Sequence, residues 1–125
     1  MDHSLTLRNC CKLGASLLLV LLIPSFTPAA AQTGDAANGQ KVYMEKCKKC
    51  HGEDGSANTN FGKSLKAADL RSADVQKKTD ADFYTQVEKG KKNMPSFGAE
   101  LSKKDINDVI AYVREIGKKA NGKTK

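Results

Sequence analysis

Large apolar side chains are scarce in this chain of 125 residues, which has no tryptophan and only 6% aromatic residues. From Gln32 onward, Ile, Leu, Val and Phe account for 14 of 94 residues, about 15%. A composition this poor in apolar residues is typical of a disordered segment. A stable fold therefore needs apolar mass that these side chains do not supply.

Long apolar runs are also missing, except for one near the amino terminus. Arg8 and Lys12 precede the run 13–23, which has no ionisable residue, and the small residues 29–31 follow it. This order predicts a secretory signal over residues 1–31, cleaved before Gln32, and export to a periplasm or an equivalent lumen. An uncleaved anchor is the alternative, but the run is shorter than the roughly 20 residues that span a bilayer.

Histidine and cysteine are rare outside the predicted signal. His3, Cys10 and Cys11 leave with the signal, so the predicted mature chain keeps two cysteines and one histidine. A closed zinc site needs four ligands, and bis-histidine ligation needs two histidines. Both are excluded within the mature chain.

The remaining Cys47, Cys50 and His51 form the motif C-x-x-C-H. This motif is typical of c-type haem attachment, in which two thiols bond the porphyrin and the adjacent imidazole ligates iron. A disulfide is an alternative for an exported chain, but it leaves His51 unexplained. A thioredoxin-like site needs a preceding strand, whereas the preceding sequence is helical in pattern. The residues predict one covalent haem c, bound by Cys47 and Cys50, with His51 as proximal ligand.

The distal ligand has to come from one of two methionines. Met44 lies three residues before Cys47, on the helix that approaches the proximal side. Met94 lies 43 residues after His51, far enough along the chain to reach the other face of the ring. Pro95 keeps residue 94 out of a helix. Met94 is therefore the predicted second axial ligand of the iron.

Capping residues and apolar spacing predict helices throughout. Asp35 caps a helix from Ala36 to about Cys47, and residues 52–66 and 91–99 are predicted loops. A short helix is expected over 69–78. A further helix is predicted to begin after the Thr79 cap and to end at Gly90. The last helix is predicted to begin after the Ser102 cap and to end at Gly117.

No segment alternates as a strand does. The sequence predicts an all-α fold of three to five helices around the haem, with one domain over 32–117 and a basic tail over 118–125.

The order of helix, C-x-x-C-H, Gly-rich loop, M-P-x-F and terminal amphipathic helix resembles the class I monohaem c-type cytochromes. The resemblance implies that Gly39 and Tyr43 of the first helix cross the last helix closely, with Tyr112 as partner. Many members have a proline after the haem motif whose carbonyl accepts the proximal histidine N–H. Residues 62–65 hold no proline here, so the sequence does not identify the carbonyl group that accepts from the His51 ring N–H.

Two protein ligands leave iron no vacant position, which favours a one-electron carrier over an enzyme. Two alternatives remain: an electron-accepting subunit of a periplasmic dehydrogenase or oxidase, and a gas-binding or sensor protein. Residues 32–125 carry 19 basic and 13 acidic residues, and lysines at 46, 48, 49, 89, 91 and 92 flank the two motifs. Redox partners with acidic docking surfaces are expected, with no nucleic acid, no stable membrane insertion and a monomeric state.

The shortage of apolar residues yields a first prediction. A variant with Cys47→Ala and Cys50→Ala, which cannot attach haem, should be largely unfolded because the apolar mass is missing. Circular dichroism and thermal melting check this. A haem-free variant with cooperative, native-like melting would contradict it.

Overall fold

The computed structural model describes residues 34–122, and these form six helices and no strand. The helices are α1 (Ala36–Lys46), α2 (Lys48–His51), α3 (Asn60–Leu65), α4 (Ala73–Gln76), α5 (Asp80–Lys89) and α6 (Lys103–Gly122). The all-α prediction is confirmed. The number exceeds three to five because the haem-motif segment forms a separate short helix, α2, and the predicted loop 52–66 contains α3. The predicted signal over residues 1–31 lies outside the described residues.

The predicted helix starts are confirmed by the caps. The Asp35 carboxylate accepts from the amides of Ala37 and Asn38, at the start of α1. Thr79 and Asp82 form a reciprocal capping box that begins α5. Ser102 Oγ accepts from the Asp105 amide at 3.1 Å, just before α6. Short polar side chains fix these starts because they satisfy amides that have no partner inside the helix.

Two of the predicted boundaries before α5 were wrong. Residues 52–66 contain α3, which Thr59 caps by accepting from the Gly62 amide at 2.8 Å. Tertiary contacts hold this helix, since Thr59 Oγ1 also donates to the carbonyl oxygens of Lys49 and Cys50. The helix expected over 69–78 is only α4, because its cap is Ser72.

The last helix does not end at Gly117 but continues to Gly122. Gly117 is buried where a Cβ atom would lie 2.4 Å from the Gln76 side chain. This glycine therefore permits close packing in mid-helix and is not a helix terminator. Residues 118–122 of the predicted tail are helical.

The close crossing of α1 over α6 organises the core. Gly39 lies against α6, where a Cβ atom would be 1.9 Å from the Asp108 carbonyl oxygen. Tyr43 is fully buried, and its ring lies 5.2 Å from that of Tyr112 in an edge-to-face arrangement. The crossing expected from the resemblance is present in the structure.

A buried carboxylate joins the same two helices. Asp108 is 2% exposed and accepts from the Asp35 amide at 2.8 Å, Asn38 Nδ2 at 2.7 Å and Lys104 Nζ at 2.6 Å. Burial opposes its ionisation, but these hydrogen bonds outweigh it and hold the pKa of Asp108 below its ordinary value. The ionised side chain therefore ties the start of α1 to α6.

The tight crossing yields a prediction about Gly39→Ala. The added methyl group has to push the backbones of α1 and α6 apart, which should cost about 3 kcal/mol or more. Gly122→Ala is the matched control, because nothing lies within 4 Å of its Cβ position. Denaturant unfolding of both variants measures the difference. Equal unfolding midpoints would show that the crossing tolerates a side chain.

Candidate functional site

The first part of the site is the segment that joins α1 to α2. Cys47 lies between the two helices, and the His51 amide donates to the Cys47 carbonyl oxygen at 3.0 Å. Cys47 and Cys50 are half-buried free thiols about one helical turn apart. The structure therefore places both thiols and His51 on one short helical segment.

Two side chains from outside this segment fix its position. Tyr43 Oη donates to the Gly52 carbonyl oxygen at 2.7 Å, which holds the end of α2 against α1. Thr59 Oγ1 lies 2.8 Å and 3.1 Å from the carbonyl oxygens of Lys49 and Cys50. The orientation of His51 is thus set by the α1–α6 crossing on one side and by α3 on the other.

The His51 ring has a hydrogen-bond partner that the sequence left undetermined. Its Nδ1 lies 3.0 Å from the Ala68 carbonyl oxygen. A carbonyl oxygen only accepts, so Nδ1 carries the hydrogen and Nε2 keeps its lone pair. The acceptor comes from residue 68, beyond the 62–65 segment where the resemblance pointed. A backbone acceptor of this kind fixes the tautomer of a metal-binding histidine.

Burial shifts the proton affinities of two groups at this segment. It lowers the pKa of His51, although the hydrogen bond to Ala68 partly opposes the shift. The imidazole is therefore neutral at ordinary pH, which is the form that binds a metal. Burial, with a smaller effect of Cys50, raises the pKa of the Cys47 thiol to about 12.

The second part of the site is the turn that carries Met94. The amides and carbonyls of Lys91 and Met94 exchange hydrogen bonds at 3.1 and 3.0 Å. Gly90 starts the turn at φ +73°, where a Cβ atom would lie 2.6 Å from the Met94 carbonyl oxygen. The amide of Phe97 donates to the Val87 carbonyl oxygen, and Asn93 Nδ2 donates to that of Leu65. The turn is thus bonded to both α5 and α3.

The sequence interpretation missed Gln86, whose Nε2 lies 3.6 Å from Met94 Sδ. Gln86 is on α5 between Phe83 and Val87, both of which are buried. The sequence signal was that Phe83, Gln86 and Val87 stand at i, i+3 and i+4, which places the polar Gln86 on the same helix face as two apolar residues. Gln86 holds one side of the Met94 sulfur.

These segments enclose one cleft of about 580 Å³, within the range of small-molecule and cofactor sites. Cys47, Cys50, His51 and Met94 all line it. Met44 does not; it packs against the core. A narrow recess continues from the cleft to an apolar floor formed by Tyr43, Leu70, Val75, Phe83, Val87, Val109 and Val113.

The donor set fits a c-type haem. Two thiols, a neutral imidazole with a free Nε2 and a thioether share one cleft with an apolar floor. A closed zinc site is not favoured, because residues 34–122 contain no group of three or more His, Cys, Asp or Glu side chains placed to bind a metal. These residues could therefore hold a haem, which would supply the iron chemistry of the site.

The charge of the cleft is one-sided. Its lining includes the lysines 46, 49, 66, 78, 91 and 92 and no Asp or Glu of the described range. A site with this lining favours an anionic ligand or an acidic partner surface. Within residues 34–122 no helix is long and apolar enough to cross a membrane.

Residues 34–113 match the family model described as "Cytochrome C oxidase, cbb3-type, subunit III". The chain is 38% identical to cytochrome c6 of Gloeothece citriformis over 112 residues, which cover 86% of this chain and 96% of that protein. It is also 38% identical to cytochrome c6 of Thermosynechococcus vestitus, with 77% and 82% covered. A solved structure, the KustC0563 c-type cytochrome, aligns with a TM-score of 0.58 and 31% identity over 62% of this chain and 95% of that one.

The helical fold, the cleft and these similarities agree. The chain belongs to the monohaem class I c-type cytochromes, electron carriers that bind one haem c covalently.

Proposed function

We propose that the chain carries single electrons on a haem attached through Cys47 and Cys50 and ligated by His51 and Met94. The observation that carries this proposal is that all four side chains line the same cleft, although Met94 is 43 residues from His51. When bound, the haem supplies an iron that alternates between the ferric and ferrous states.

The protein's own contacts prepare both axial donors. Ala68 holds the hydrogen on His51 Nδ1, so Nε2 is the nitrogen available to iron. Divalent sulfur has two lone pairs, and Gln86 faces one of them from 3.6 Å. The other pair is left for the metal. Because the hydrogen bonds of both segments fix these side chains, little rearrangement accompanies electron transfer.

The same ligation argues against an enzyme. With His51 and Met94 both bound, no coordination position is open to a substrate, so electron transfer proceeds without turnover at the iron. A gas-binding or sensor role needs a weak Met94 bond. Carbon monoxide binding to the ferrous protein at neutral pH discriminates between these roles, and the electron carrier should not bind it.

The partners of this chain are proposed to be redox proteins with acidic docking surfaces. Electron-transfer complexes are small and transient, and complementary charge speeds their formation. The lysines at the cleft, among them the exposed Lys91 and Lys92, supply the positive surface. We further propose a monomer that works in the periplasm or an equivalent lumen, supported by the signal pattern over residues 1–31.

A second candidate is an electron-accepting subunit of a larger enzyme. The family model that matches residues 34–113 is described as an oxidase subunit, which favours it. The cytochrome c6 relatives match over nearly their full length, up to 96%, which favours a free carrier. Size-exclusion chromatography of the native extract separates the two: a carrier elutes as a small monomer, and a subunit elutes with its enzyme.

The proximal ligand yields a prediction. His51→Ala should abolish stable haem incorporation, since the imidazole orients the ring during attachment and then ligates iron. The yield of haem-stained protein and the absorption spectrum measure this. Normal maturation with an unchanged low-spin spectrum would mean that another residue is the ligand.

The distal ligand yields a prediction with a matched control. Met94→Ala should keep the haem, because Cys47, Cys50 and His51 are unchanged, but lose the red charge-transfer band of Met–iron bonding. The reduction potential should fall by more than about 59 mV, the effect of a tenfold loss of ferrous preference. Met44→Ala should change neither. If Met94→Ala retained the band and the potential, Met94 would only be a packing residue.

The lysines of the proposed docking surface also yield a prediction. Lys91→Gln with Lys92→Gln should slow second-order electron transfer to a small acidic redox protein by about tenfold at low salt. The difference should shrink as added salt screens the charges. The control is the double variant Lys118→Gln, Lys119→Gln, which removes the same number of positive charges near the end of α6. An equal loss in both variants would show that only net charge matters.

A further inference from the structure

Lys78 differs from the other five lysines of the cleft. It alone lines both the wide part of the cleft and the narrow apolar recess. Its side chain is half-buried. It lines the recess together with His51 on one segment and with Gln86 and Met94 on others. A cation beside an apolar recess loses part of its hydration, and a neighbouring anion stabilises it.

The other lysines are exposed or already engaged. Lys46 forms ion pairs with Glu100 at 3.1 Å and Glu45 at 3.3 Å. The ammonium group of Lys49 lies 4.2 Å from the centre of the Phe61 ring. The remaining three are exposed to solvent: Lys66, Lys91 and Lys92.

No carboxylate of the described residues lies within 4.0 Å of Lys78 Nζ. The nearby Asp82 is exposed, and its Oδ2 already accepts from the Thr79 amide at 3.0 Å and from Thr79 Oγ1 at 2.7 Å. Asp82 therefore interacts with the Lys78 charge only at a distance, and the described residues offer this ammonium group no direct ion pair.

The backbone of Lys78 is held in place, which gives its side chain a fixed origin. Its amide donates to the Val75 carbonyl oxygen at 3.1 Å. Its carbonyl oxygen accepts from Arg114 Nη2 at 2.5 Å. Arg114 in turn lies 4.6 Å from the centre of the Phe83 ring and binds Asp80. Arg114 thus acts as a positioning residue for Lys78.

The chemistry of the cofactor supplies the missing anion. A c-type haem carries two propionates on the half of the ring opposite the two positions that bond cysteine. Lys46 and Lys49 adjoin the cysteines in sequence and would therefore lie near the thioether half of the ring. We propose that Lys78 Nζ is the cationic partner of a haem propionate. This inference rests on the proposed haem attachment.

A zero-length carbodiimide cross-link tests the contact in the wild-type holoprotein. The reagent activates a propionate, the Lys78 amine displaces the resulting urea, and an amide forms with net loss of one water. Cleavage after Glu45, Glu53 and Glu88 gives haem peptide 46–53 and peptide 54–88. Mass spectrometry should find these joined through Lys78. Joining through Lys66 or Lys63, or a Lys78–Asp82 link, would overturn the inference. A peptide 46–53 without haem would instead refute the proposed function.

Reduction potentials of matched variants give an independent test. Lys78→Gln should lower the potential, because a positive charge beside a propionate favours the ferrous state, and the shift should persist at high salt. Lys78→Arg should restore the wild-type potential. Lys77→Gln is the control, since Lys77 is exposed and its ion-pair partner is the exposed Asp74. Equal shifts in Lys77→Gln and Lys78→Gln would show a long-range charge effect and overturn the inference.

Discussion

The contact between α1 and α6 is the constraint on which the rest of the structure depends. Gly39 lets the two backbones approach, and Asp108 bonds the start of α1 to α6. This crossing buries Tyr43, whose hydroxyl group holds the Gly52 carbonyl at the end of α2. The position of His51 is therefore determined by packing between the two ends of the described chain. Any change that separates these helices also moves the segment that carries Cys47, Cys50 and His51.

The two halves of the site are built in different ways. The cysteines and His51 lie on a helical continuation of α1, whereas Met94 lies in a turn bonded to α5 and α3. A helix is suited to placing three groups at short spacing. A turn with a left-handed Gly90 is suited to bringing a single distant side chain into the cleft. In the folded chain, hydrogen bonds within the protein therefore hold both halves of the cleft in position.

The sequence predicted the parts of the structure that local chemistry determines. The caps at Asp35, Thr79 and Ser102 were correct because a short polar side chain bonds amides only a few residues away. α3 was missed because it has only six residues and contains Gly62, which weakens the local signal of its cap at Thr59. Part of its stability also comes from Thr59 contacts with the α2 backbone, which no local pattern encodes. The end of α6 was wrong because Gly117 serves packing against Gln76, which is distant in sequence.

The same distinction applies to the site. The motif C-x-x-C-H and the Met94-Pro95 pair marked the candidate residues. The role of Ala68 could not be predicted, because a backbone acceptor has no residue-type signature. Gln86 was missed because its signal, a polar residue on the same helix face as Phe83 and Val87, is common. Lys78 was likewise one lysine among many until the fold placed it in the recess.

The use of the Ala68 carbonyl to hold His51 affects how the chain can vary. Every amino acid has a main-chain oxygen, so replacing Ala68 by another residue preserves the acceptor wherever the backbone path is kept. An insertion or deletion between α3 and α4, in contrast, moves that oxygen along the chain and away from the ring. At this site, the number of residues in the connecting segment is under tighter constraint than their identity.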